Sequence, residues 1–192
     1  MSAGGTAPTV AAKLDRERAA LVVVDVQEGF RAAIDRFDEV VAATAALIRG
    51  AEAIGIPIVV TEQYPKGLGA TVEEVSEHLP EGVEPLTKIC FSAVEADGFD
   101  LDGRDQAIVC GIETHVCVNQ TVLDLLGAGT EVHLIADGVG SRDPRNRELG
   151  LAKLERAGAW RSSVETALFE LLRRAGSDEF KTVQKIVLDY AP

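Results

Sequence analysis

The chain has 192 residues, 46% apolar and 26% charged, with a formal net charge of −12. That length suits one α/β domain with a full core and is short for two, and the composition is that of a folded protein rather than a disordered one. The acidic excess argues against nucleic acid or an anionic membrane as the main partner, since both need a basic face.

Residues 1–17 are small, polar and turn-prone and lack the charged and apolar blocks of a secretory signal. A flexible arm is expected there, followed by a single domain over residues 18–192. No apolar run approaches about 18 residues, so no membrane span is expected. The three cysteines, Cys90, Cys110 and Cys117, have neither disulfide-framework nor zinc-ribbon spacing, which points to a reducing, cytoplasmic setting.

The first element is a β-branched run over residues 20–26, the pattern of a strand buried on both faces, interrupted near its end by Asp25. Apolar residues at helical spacing run from Phe37 to Ile54, and Gly55 stops that helix. Residues 56–60 make a second buried strand. Residues 61–70 form a loop, and Thr71 with Glu74 makes a capping box for a short helix reaching Leu79. A short third strand covers residues 86–89, and Ser92 caps a short helix to Ala96. Residues 107–111 form a fourth strand that turns at Gly111 into a helix with Cys117 in its first turn. Residues 130–136 form a fifth strand, 137–141 a loop, and 145–157 a helix ended by Gly158. A short sixth strand at 160–162, a helix capped by Ser163 over 164–174 and a last helix over 178–188 complete the chain. Strands alternating with helices predict a three-layer α/β/α fold with a mostly parallel, doubly wound sheet of about six strands in the order 3-2-1-4-5-6. Ligands bind such sheets at the carboxyl ends of the strands, where the order reverses.

That topology gathers three polar residues. Asp25 in an apolar run is costly to bury unless paired; it reads as a general base or, equally, as a structural carboxylate. Lys88, between Leu86 and Ile89, either brings a cation to the crevice or snorkels along the surface. Cys117 at a helix start sees free N–H groups and the positive end of the dipole, both of which favour the thiolate; a single cysteine can equally be an inert core residue. Cys90 and Cys110 read as inert. His115, two residues before Cys117, is poorly placed for a dyad on a helix and reads as structural or interfacial. His133 reads as a core or edge residue.

Three stretches, VVVDVQEGF around Asp25, KICFSA around Lys88 and GIETHVCV around Cys117, resemble in order the signatures of the isochorismatase-like cysteine hydrolases. The likeness extends over residues 18–188, and TEQYPKGLGATVEE from Thr61 to Glu74 is similar to the isochorismatase domain-containing subgroup. The resemblance implies Cys117 as nucleophile, Asp25 as general base and Lys88 as third member of a triad. It implies a cis peptide at Ile112-Glu113 and an oxyanion hole from the N–H groups of Glu113 and Cys117. It also implies homo-oligomers, dimers or larger. Metal-dependent nicotinamidases carry an Asp-x-His pair and a further histidine after the second strand; that region here offers only His78, so no metal and no cofactor are expected. Isochorismatase proper lacks the nucleophilic cysteine, so cysteine chemistry is favoured over isochorismate cleavage. Gln27, Phe30, Gln63, Tyr64 and Phe91 are candidate pocket residues, with loop packing for Gln63 and Tyr64 and plain core packing for the two phenylalanines as the alternatives. The expected activity is cofactor-independent hydrolysis of a small amide, carbamoyl or related substrate through a thioester-type intermediate. A non-catalytic oligomeric binding or scaffold protein and a redox-reactive thiol protein are the alternatives.

Overall fold

The computed structural model describes residues 13–190. Six strands form one sheet: β1 (Ala19–Val24), β2 (Ile58–Gln63), β3 (Leu86–Lys88), β4 (Gln106–Ile112), β5 (Glu131–Gly140) and β6 (Trp160–Ser162). Their order is β3-β2-β1-β4-β5-β6, and every adjacent pair is parallel, as the alternation of strands and helices requires. The central β1 and β4 are buried at every residue, which is why they read as continuous apolar runs.

Alternate strand residues feed two cores. One face packs against α1 (Phe37–Ile54), α6 (Val164–Leu172) and α7 (Asp178–Tyr190), and the other against α4 (Cys117–Gly127) and α5 (Pro144–Ala157). Two short helices, α2 (Pro65–Leu68) and α3 (Glu73–Ser76), lie in the β2–β3 crossover. The helix ends follow the sequence cues. Gly55 and Gly158 take left-handed conformations at the ends of α1 and α5, while Asp143 and Ser163 cap α5 and α6 through their side chains.

Five local expectations are corrected. β2 starts later and runs on through Gln63, because Thr61–Gln63 pair with Leu86–Lys88; pairing overrides the loop-like composition of that stretch. β5 likewise continues to Gly140, its register shifting between Val109 and Gly111 so that Gly111 pairs with Val139 and Ile112 with Gly140. Thr71 caps no helix: its N–H and hydroxyl both donate to Glu62 Oε1, at 2.6 and 2.8 Å, and α3 begins after Val72 without a side-chain cap. Ser92 precedes a single 3-10 turn, Ala93–Glu95, and makes no capping bond. α6 stops at Leu172, where Arg173 turns to a positive φ of 62°.

Most of the expected arm, residues 1–12, lies outside the described residues. Its last part is anchored: Leu14 is fully buried, its N–H donates to Glu170 at 3.0 Å, and the Asp15 N–H donates to the Gln106 side chain at 2.8 Å.

Candidate active site

The order reversal falls between β1 and β4. At that point Val24, the last residue of β1, pairs with Thr61 on one side and Gly111 on the other. A Cβ on Gly111 would lie 2.0 Å from the Val24 carbonyl oxygen, and Gly111 has φ of +119°. Only glycine allows the two strand ends to approach this closely. Asp25 follows β1 in a left-handed conformation, φ 55°, its N–H bonded to the Thr61 carbonyl at 3.1 Å.

The side chains of Asp25 and Lys88 are both wholly buried and form an ion pair, Nζ to Oδ2, of 2.7 Å. The other carboxylate oxygen accepts from the Thr61 hydroxyl at 2.7 Å. The Lys88 ammonium also meets Gln63 Oε1 at 2.9 Å and the carbonyls of Phe91 and Cys90 at 3.0 and 3.3 Å. Two charges withdrawn from water at this depth persist only with such a complete set of partners.

Cys117 opens α4 and is 4% exposed. The Asp25 carboxylate, the Lys88 ammonium and the Glu113 N–H lie near enough to its sulfur to bear on its proton affinity. The N–H groups of Val116 and Val118 both go to the Glu113 carbonyl, and the Cys117 N–H between them donates to no backbone carbonyl among the described residues. The Ile112-Glu113 peptide is cis. The Glu113 carboxylate is turned aside to the N–H and guanidinium of Arg142, at 2.9 and 3.1 Å.

The resting thiol differs from the sequence-based expectation. Burial first, then the Asp25 charge, pushes the Cys117 thiol from its ordinary 9.0 up to about 12, against the opposing pull of Lys88 and the Glu113 N–H. The helix start favours the anion, but a dry site beside a carboxylate disfavours it more. The proton therefore stays on sulfur until something else changes the balance.

The candidate pocket residues divide. Gln27 is fully buried in an internal frame: its amide accepts from the Gln63 N–H at 2.7 Å and donates to the carbonyls of Gln63 and Gly69 at 3.1 and 2.6 Å. Gln63 belongs to the same internal frame, taking Lys88 on its oxygen and donating to the Ile89 carbonyl at 2.9 Å. Phe30 packs against the α1-side core. Tyr64 and Phe91 are half exposed, beside the largely exposed Ile89. A cavity of about 380 Å³ lies between Tyr64–Lys66 and Glu95–Asp97 and touches Lys88 and Cys90. A larger one, about 660 Å³, lies between the starts of α1 and α5 and touches none of the three motif residues. Convergent buried polar groups, not volume, mark the site.

The histidines stand apart: His115 contacts the Ser141 hydroxyl at 3.0 Å, and His133 is buried beside Glu131. Among the described residues no three His, Cys, Asp or Glu side chains gather as a metal cradle. Sequence reasoning missed Thr61 as the second partner of Asp25, and the Cys90 and Phe91 carbonyls as partners of Lys88. The β1–β2 register, in which Thr61 pairs with Val24, brings Thr61 to Asp25.

Comparison with known proteins identifies the family and the fold. The Isochorismatase domain family profile matches residues 19–166. Isochorismatase domain-containing protein 2A of Mus musculus is 39% identical over 92% of this chain and 85% of its own length. The structure of the MAR1 ribonuclease of Caenorhabditis elegans superposes with a TM-score of 0.88 at 38% identity, covering 94% of this chain and 95% of that one. YcaC from Pseudomonas aeruginosa, described with hexane-2,5-diol and covalent acrylamide, gives 0.83 at 26% identity, covering 95% of both chains. A family profile over most of the chain and relatives at this identity decide the lineage: the chain belongs to the isochorismatase-domain superfamily of cysteine hydrolases, alongside the isochorismatase domain-containing protein 2 subgroup.

Proposed function

We propose that the protein is a cofactor-independent cysteine hydrolase of small amides or carbamoyl compounds. The observation that carries this reading is the wholly buried Asp25–Lys88 pair set against the Cys117 sulfur. When a substrate carbonyl displaces the last water, Asp25 takes the thiol proton and the new thiolate is balanced by the Lys88 ammonium. Net charge in the site is unchanged by this transfer, which suits a dry environment. The sulfur bonds to the carbonyl carbon while the oxygen takes the displaced electron pair and is held by the N–H groups of Glu113 and Cys117. Collapse expels the amine, which leaves with the proton held on Asp25. Water then attacks the thioester, returning a proton to sulfur by way of Asp25.

The acrylamide bound covalently in the Pseudomonas YcaC structure shows that relative capturing an amide-bearing electrophile. The C. elegans relative is named a ribonuclease, which suggests RNA instead, but a net charge of −12 disfavours a polyanion and the Lys88 ammonium is already committed to four acceptors. We place the protein in the reducing cytoplasm, on the strength of its free cysteines, and as a homo-oligomer, with exposed Ile89, Leu149 and Leu188 as candidate contacts.

The test is a panel of small amides, carbamoyl compounds and RNA oligonucleotides, read against Cys117→Ala. The expected result is turnover of at least one amide or carbamoyl compound, a thioester adduct on the wild type in intact-mass spectra, and loss of both in the variant. Turnover that survives Cys117→Ala, or turnover of RNA alone, overturns the reading.

A further inference from the structure

Two buried side-chain hydroxyls, those of Ser92 and Ser162, have no hydrogen-bond partner among the described residues. Such a group is a net cost to folding, and native structures rarely keep one without a ligand or water to serve. Ser162 lies on β6, at the sheet edge opposite β3. Ser92 is different in place: it is fully buried, and its chain neighbours tie it to both halves of the site. The carbonyl of Phe91 accepts from the Lys88 ammonium at 3.0 Å, and the N–H of Ala93 donates to the Thr121 hydroxyl at 2.8 Å. Thr121 sits one turn beyond Cys117 on the same face of α4. Ser92 is therefore strung between the ammonium and the helix that carries the sulfur.

An amide entering such a site needs donors for its oxygen and an acceptor for its nitrogen. The other acceptors around Lys88 already hold donors, Gln63, Cys90 and Phe91 taking Lys88 and Asp25 taking Thr61 and Lys88, and Asp25 is the base that must receive the thiol proton; the Ser92 hydroxyl alone holds no partner. We propose that the Ser92 hydroxyl accepts an N–H from the nitrogen of the bound amide or carbamoyl group, so that the site selects substrates carrying at least one hydrogen on that nitrogen. The inference rests on Cys117 being the nucleophile and deepens that reading.

Acrylamide and methyl acrylate test it. They present the same conjugated carbon to a thiol, but only the first has N–H groups. In either case the sulfur bonds to the β-carbon, the carbon–carbon π bond opens, and the proton lost by sulfur ends on the α-carbon. Rates of modification at Cys117, resolved by peptide mass mapping, are compared for wild type, Ser92→Ala and Ser162→Ala, with methyl methanethiosulfonate as a thiol reagent lacking an amide. In Ser92→Ala the acrylamide to methyl acrylate rate ratio is expected to fall roughly three- to tenfold, the worth of one neutral hydrogen bond. The methanethiosulfonate rate should hold and the melting temperature should be unchanged or higher, since the lost hydroxyl had no partner. Ser162→Ala should leave the ratio alone. An unmoved ratio, an equal slowing with all three reagents, or a lowered melting temperature overturns the role of Ser92; Ser92→Gly repeats the comparison should the alanine variant not fold. A wild-type Cys117 that reacts with none of the three reagents removes the nucleophile and, with it, the claim for Ser92.

Discussion

The Lys88 ammonium has three N–H bonds and meets four acceptors. It is held in place rather than free to follow a substrate, and its charge is committed to Asp25. Replacing Lys88 by Met leaves a bare carboxylate at full burial, and the expected cost is about 3–5 kcal/mol of stability by urea titration. Combining it with Asp25→Asn should recover part of that loss, because no unpaired charge remains. A double variant as unstable as the sum of its parts would mean that the pair is not coupled. Lys88→Met should also slow Cys117 alkylation, because it removes the charge that opposes the rise of the thiol.

A second consequence at this scale concerns pH. Burial pushes the Cys110 thiol, like that of Cys117, up to about 12. Below the ordinary thiol value of 9.0 both folded and unfolded chains keep these protons and stability does not respond. Between 9 and 12 the unfolded chain releases them while the folded chain retains them, so stability falls as pH rises. Urea midpoints should decline across this range, and the decline should be shallower in Cys110→Ala. A midpoint flat through that window would contradict the burial-driven shift. Asp25, Lys88 and Cys117 drew notice where an apolar pattern breaks or a helix starts, but the pattern left a structural role open for each, and the likeness of three motifs to a known family singled them out. Thr61 and the glutamine frame were not legible in the sequence, because hydrogen-bond partners across strands depend on register. Nor was the state of the thiol, since dryness is a property of packing and not of spacing.

Among the elements, β1 and β4 were readable as buried runs, and α1 to the residue, from its apolar spacing and its Gly55 stop. The polar ends of β2 and β5 were not, since Thr61–Gln63 and Asp137–Gly140 extend only because neighbouring strands pair with them. The joint between β1 and β4 is the most demanding contact. In Gly111→Ala the new methyl would meet the Val24 carbonyl at 2.0 Å in a left-handed backbone, and a loss of ~3 kcal/mol or more is expected. Because Asp25 and Cys117 leave from these two strand ends, alkylation at Cys117 should change along with the melting temperature. A variant as stable and as reactive as wild type would show that the close approach is not required.

For the whole molecule, alternation of elements was sufficient to read layers and strand order, because parallel crossovers admit few topologies. It missed the anchoring of the segment before β1. Leu14 lies in the core on the α1 side, and the chain around it is tied to Glu170, Gln106 and Arg173. Leu14→Ala should cost about 2–5 kcal/mol in urea unfolding, whereas a cost within experimental error would return the segment to the status of a free arm.

The three motif side chains each hang from a different strand terminus, while the walls of the adjoining cavity come from the crossover between Gln63 and Leu86 and from the turn after β3. Reactivity and admission are thus written in separate parts of the chain. Changing the side chains of Tyr64 and Lys66, while Gly69 and Thr71 keep their bonds to Gln27 and Glu62, offers a way to re-target this scaffold to new compounds without disturbing its reactive centre.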